Sequence, residues 1–140
     1  MRFQVLRLKE EFLGALAGIE RLLRDAGDSS PIYVESTRRS VIAFGRAAAV
    51  VGPGGDPVRA GRRLHAARDA LRVLSMDLDV LLALALIDKT RLAPTKQRIA
   101  AMEKILENIA RIARGAGSTN KMDEPPPESP DGFEGDAPDG

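Results

Sequence analysis

Few side chains in this 140-residue sequence could carry out covalent chemistry. It has no cysteine, which removes disulfides, thiolate catalysis and cysteine-ligated metals together. The single histidine, His65, cannot build a histidine-rich metal site, and beside Leu64 it reads as a residue at the edge of a packed seam. Asp69, Asp77 and Asp79 place carboxylates on one helical stretch. A diiron bundle, however, needs Glu-x-x-His elements on paired helices, and none is present. Asp77, in otherwise apolar surroundings, reads as an ion-pair or inter-subunit residue. There is no phosphate-binding P-loop, no dinucleotide glycine pattern and no nucleophile elbow. The expectation is a protein that is not an enzyme and needs no cofactor. With no Trp and 4% aromatic residues, base stacking is not a natural mode of binding either. What remains is arginine, whose planar fork of donors suits phosphate oxygens.

The elements that must position these arginines are helices. From Asp56 to Leu92, apolar or small residues recur at Ala60, Leu64, Ala67, Leu71, Leu74, Leu78, Leu81 and Ala85. Those alternating steps of four and three mark a bundle helix. It is expected to be the longest of the chain, with Asp56 as its cap and Pro57 in its first turn, ending near residues 88–90 ahead of Pro94. A first helix over Phe3–Ala26 turns Val5, Leu8, Phe12, Leu16, Ile19, Leu22 and Leu23 inward. Gly14 and Gly18 on it, four residues apart, read as close approach of a neighbour or as tolerated weak points in preference to a membrane dimerisation motif, and Gly27 ends it. Ser30 and Pro31 open a second helix, which buries Val34, Val41, Phe44, Ala48 and Val51 and stops at Gly52-Pro53-Gly54-Gly55. A fourth follows Pro94 with Ile99, Met102, Ile105, Leu106, Ile109 and Ile112 inward, closed by Gly115 and Gly117. The short connections predict an all-α, antiparallel up-down-up-down four-helix bundle over residues 1–117.

That topology turns charge placement into a surface. The formal net charge of +1 divides into +7 for residues 1–117 and −6 for residues 118–140. At the end where the first and third helices start, Arg2, Arg7, Lys9, Arg46, Arg59, Arg62, Arg63, Arg111 and Arg114 face Glu10, Glu11, Asp56 and Glu107. The opposite end is nearly balanced. Arg46, Arg59, Arg62, Arg63, Arg111 and Arg114 are therefore the candidate nucleic-acid contacts, with RNA or DNA phosphates as their ligand.

A second apolar stripe, Val73, Met76, Val80, Leu84 and Ile87, leaves the C-terminal half of the third helix apolar on most of its circumference and is the candidate oligomer or partner interface. Residues 118–140 hold seven acids, one Lys, five prolines and a single large aromatic, Phe133. This composition predicts a disordered acidic tail. The longest apolar run, Val80 to Ile87, is too short to span a bilayer, and residues following Met1 do not read as a signal peptide, so a soluble cytoplasmic protein is expected.

Three stretches, residues 66–74 (Ala-Ala-Arg-Asp-Ala-Leu-Arg-Val-Leu), residues 81–85 (Leu-Leu-Ala-Leu-Ala) and residues 89–97 (Lys-Thr-Arg-Leu-Ala-Pro-Thr-Lys-Gln), are followed by a final helix over Ile105 to Arg114. Together they resemble the accessory variability determinant proteins of diversity-generating retroelements, relatives of the four-helix-bundle proteins encoded in intervening sequences of ribosomal RNA genes. The resemblance is best over residues 57–114. It implies a homopentamer whose basic surface binds nucleic acid and the retroelement's reverse transcriptase during mutagenic retrohoming, and it transfers to Arg59, Arg62, Arg63, Arg111 and Arg114. The acidic tail is not a feature of that family. The competing reading is a protein-binding or scaffolding bundle whose apolar stripe docks a partner helix and whose charges only solubilise it.

Overall fold

The computed structural model describes residues 1–27, 30–52 and 54–118, and the side chains of residues 116–118 are not described. The acidic tail from residue 119 onward and the turn residues 28, 29 and 53 lie outside the described residues. Four helices follow one another, α1 (Arg2–Ala26), α2 (Pro31–Ala49), α3 (Pro57–Ala83) and α4 (Lys89–Ser118), and no strand occurs among the described residues.

The inward faces set the packing. Leu8, Ala15, Ile19, Leu22 and Leu23 of α1 join Val41 and Phe44 of α2, Ala67, Leu71, Leu74, Leu78 and Leu81 of α3, and Ile99, Met102, Ile105, Leu106 and Ile109 of α4 in one buried cluster. Phe12 and Phe44 meet edge to face at 5.4 Å. Each neighbouring pair of helices is joined by specific contacts. Asp25 of α1 meets Arg91 of α4, Gly18 meets Thr95, and Glu11 meets Arg98. Glu20 of α1 holds Arg38 of α2 and Phe12 packs on Gly45. Ser40 of α2 donates to Asp77 of α3, and Lys96 of α4 reaches Ser75 and Asp79 of α3. Asp77 is thus a hydrogen-bond acceptor that ties α3 to α2, and it makes no ion pair with a described residue.

Three boundaries differ from the reading of the sequence. The third helix stops at Ala83, short of residues 88–90, without glycine or proline. Ala85 takes a left-handed conformation at φ 60°. Leu86 N–H then donates to Leu81 O and Ala85 N–H to Leu82 O, both at 2.9 Å, the paired bonds of a Schellman turn. This reversal sends Ile87 into the core at 6% exposure. The fourth helix begins at Lys89, where Leu92 N–H donates to Asp88 O at 3.0 Å, and it carries Pro94 inside it with Ala93 helical. The bias against helix before proline is overridden because Leu92 and Thr95, each 3% exposed, are buried on either side of it. Gly115 and Gly117 do not close α4, which runs through both to Ser118. At 30 residues against 27, α4 and not α3 is the longest helix.

The caps divide similarly. Asp56 accepts from Val58 N–H at 3.2 Å as expected of an N-cap, with Pro57 at the first helical position. Ser30 precedes α2 but makes no side-chain capping bond. Gly27, at φ 64°, ends α1 with its N–H on Leu23 O.

Candidate nucleic-acid interface

One end of the molecule is built from Met1, the connection after α2, the first turns of α3 and the last turns of α4. Together they border a groove of about 590 Å³. Its apolar walls come from Ala60 and Leu64 of α3 and Ile109 and Ala113 of α4. Arg68 and Arg114 line it as cations, and His65 is a further lining residue. The glycines at 52, 54 and 55 let the chain turn tightly there, Gly54 at φ 100° and Gly55 at φ 76°.

Of the sequence-selected arginines the structure brings Arg114 alone into the lining of this groove and sets the others around the helices that form it. Arg63 leans back on the connection, its Nη2 donating to Gly54 O at 3.4 Å while its Nε has no acceptor. Arg114 lines the groove. Arg59 and Arg62 are exposed and lie on the outer side of α3, away from Leu64. Arg46 is exposed near the end of α2, and Arg111 on α4 donates to Asn108. Arg46, Arg59, Arg62, Arg63 and Arg111 are not among the groove's lining residues.

Pairing separates the two ends. Arg38 binds Glu20 at 2.9 Å, Arg91 binds Asp25 at 3.1 Å, Lys96 binds Asp79 at 2.7 Å and Arg39 lies 3.7 Å from Glu35, so much of the positive charge at the far end is locally compensated. Arg21, Arg24 and Lys89 stay unpaired there among the described residues. At the groove end, none of Arg2, Arg7, Lys9, Arg46, Arg59, Arg62, Arg63 or Arg111 makes an ion pair with a described carboxylate. Glu11, counted at that end from the sequence, instead meets Arg98 at 3.2 Å part-way along α1 and α4. Removing Glu11 from the groove end leaves nine basic residues against Glu10, Asp56 and Glu107.

The outer side of α3 carries two kinds of surface in one line. Arg59, Arg62, Ala66, Asp69, Val73, Met76 and Val80 succeed one another at three or four residues, so a basic segment continues into an apolar one. Val73, Met76 and Leu84 are 54%, 64% and 46% exposed and Val80 is half-buried. Ile87 does not belong to this stripe, because the turn after α3 buries it. On the same helix His65 lies 3.2 Å from Asp69, which also receives Arg72 at 2.6 Å.

Arg68 and His65 are groove residues that charge counting did not single out. The available signal was their spacing, since Arg68 follows Leu64 by one helical turn and shares its side of α3. Among the described residues, no group of three or more His, Asp or Glu side chains could hold a metal ion, and no helix is long and apolar enough to cross a membrane. Comparison with known proteins gives no match, whether to a family model, a curated protein or a solved structure.

Proposed function

We propose that this protein is a non-catalytic, nucleic-acid-binding bundle that serves as the accessory protein of a diversity-generating retroelement. The observation that carries the reading is the arginine surface at one end, where Arg46, Arg59 and Arg62 are exposed without a partner among the described carboxylates while the far end is substantially ion-paired. Guanidinium groups held on rigid helices and left without acids are suited to phosphate oxygens. The helix contacts support an antiparallel up-down-up-down arrangement, since Glu20 late in α1 meets Arg38 in the first half of α2, Asp79 late in α3 meets Lys96 early in α4, and Asp25 at the end of α1 meets Arg91 at the start of α4. That arrangement is what gathers the cations of α1, α2, α3 and α4 at a single end.

The retroelement role rests on the resemblance over residues 57–114. In that role the protein works in the cytoplasm as a homo-oligomer, a pentamer by resemblance, and binds RNA or DNA together with the reverse transcriptase during mutagenic retrohoming. The exposed Val73, Met76 and Leu84 support self-association, because assembly would cover them. The same residues favour the second reading, a scaffolding bundle that docks a partner helix and has no nucleic-acid role.

Binding of the full chain to a single-stranded RNA oligonucleotide at low ionic strength tests the first reading against the second. Changing Arg59, Arg62 and Arg63 together to Gln should weaken that binding severalfold while helical content stays unchanged. An absence of binding by the unaltered chain sinks the nucleic-acid reading. The retroelement assignment has its own test in the flanking DNA, which should encode a reverse transcriptase beside a pair of near-identical repeats differing mainly at adenines. A ribosomal RNA gene around the reading frame would assign the protein to the intervening-sequence branch instead.

A further inference from the structure

We infer that the acidic C-terminal segment, residues 119–140, is an intramolecular ligand of the groove between α3 and α4, with Phe133 in its apolar floor and its carboxylates on the surrounding arginines. Three observations converge on that occupant. The groove of about 590 Å³ has apolar walls, Leu64, Ile109 and Ala113 among them, and cations at Arg68 and Arg114. That combination fits an acidic peptide with one large apolar anchor. The segment supplies it, because Phe133 is its only aromatic residue and stands among Asp131, Glu134, Asp136 and Asp139.

Position is the second observation. Helix α4 delivers the chain to this same end, since Arg114 lines the groove and Ser118 ends the helix four residues later. Phe133 follows Ser118 by 15 residues, a span whose upper limit is about 50 Å of extended chain. The groove borders the last turns of α4 itself, so the segment has far more reach than it needs. Charge is the third. Residues 118–140 carry −6 against +7 for the remainder, and Arg46, Arg59, Arg62, Arg63 and Arg111, none of them in an ion pair with a described carboxylate, belong to the end where the segment emerges. A carboxylate-rich strand there meets the guanidinium groups in the way a phosphate backbone would, so the segment competes with nucleic acid for the basic end. This competition rests on the proposed nucleic-acid function, whereas the docking itself does not.

The chain has no Trp, so Phe133→Trp in the full chain introduces a lone fluorophore at the anchor. Docking predicts blue-shifted emission and severalfold weaker acrylamide quenching than in a peptide of residues 118–140 carrying the same substitution, at every protein concentration. The protection should decline towards 1 M salt, where the screening length is about 3 Å. Emission matching the peptide at low salt overturns the docking and leaves the nucleic-acid reading standing. Protection that grows with protein concentration also overturns it, by assigning the segment to a neighbouring copy. Competition is read separately, by changing the segment's seven acids to Asn or Gln in the full chain. If the docked form is about 90% populated, affinity for a single-stranded DNA oligonucleotide rises about tenfold. Unchanged affinity for the oligonucleotide overturns the competition, and protected emission in a chain that binds no oligonucleotide overturns the nucleic-acid reading while docking stands.

Discussion

Gly14 and Gly18 lie one turn apart on α1 and face the same neighbour, yet a methyl group added at each meets a different obstacle. At Gly14 it would strike the guanidinium of Arg98, the far end of a long side chain that can swing aside. At Gly18 it would come within 2.6 Å of the Thr95 hydroxyl, on a β-branched side chain only 3% exposed. Gly14→Ala should therefore be neutral or stabilising by up to about 1 kcal/mol through helix propensity. Gly18→Ala should cost about 1 kcal/mol or more through overpacking. Urea unfolding of the two variants distinguishes them, and equal effects would contradict the close approach of α1 and α4 at Thr95. The hydrogen bond from Ser40 to Asp77 gives a second residue-level expectation. Ser40→Ala should cost about 1 kcal/mol, because it leaves a half-buried carboxylate without its interhelical donor. Glycine spacing leaves close approach and tolerated weak points as alternatives, and the Thr95 contact at Gly18 decides for the first. The partner of Asp77 was not legible, because nothing in one sequence places Ser40 opposite it.

At the scale of elements, sequence signals worked where a residue acts on its own backbone and failed where packing decides. Asp56 beside Pro57 marks the start of α3 and caps it, whereas Ser30 beside Pro31 carries a similar signature and makes no capping bond. Asp56→Ala should accordingly lower stability by about 1 kcal/mol and Ser30→Ala by much less, measured by thermal denaturation. The end of α3 was illegible because the reversing residue is Ala85, not the glycine that usually announces such a turn. Holding an alanine left-handed costs about 1 kcal/mol, so Ala85→Gly should raise the melting temperature. A drop would mean that the methyl group contributes packing that outweighs this strain. The start of α4 is obscured in the sequence for a related reason. Pro94 looks like a boundary, but the burial of Leu92, Thr95 and Ile99 along one side carries the helix through it. Apolar periodicity gave the four helices and most of their inward faces. Ile87 was misplaced because continuing the period beyond Ala83 assigned a turn residue to a helical stripe.

For the whole molecule, the basic end follows from chain direction. In the proposed alternating arrangement, arginines at the starts of α1 and α3 and the finishes of α2 and α4 gather at one end. That Arg46, Arg59 and Arg62 meet no described carboxylate depends on side-chain geometry, with Glu11 drawn away to Arg98 as the instructive case. The apolar continuation of α3 makes a further expectation. Met76→Lys on this exposed stripe should reduce self-association in sedimentation velocity without lowering helical content, and an unaltered sedimentation profile would move the interface elsewhere. The central claim, that the arginine end is a phosphate-binding surface, is met most directly by titrating salt against the affinity of the full chain for a single-stranded oligonucleotide. The account predicts log affinity falling linearly with log salt at a slope of about −0.7 per phosphate contacted, and a slope shallower by about 2 after Arg59, Arg62 and Arg63 are changed to Gln. No binding at low salt, or the same slope in the variant as in the unaltered chain, would contradict it.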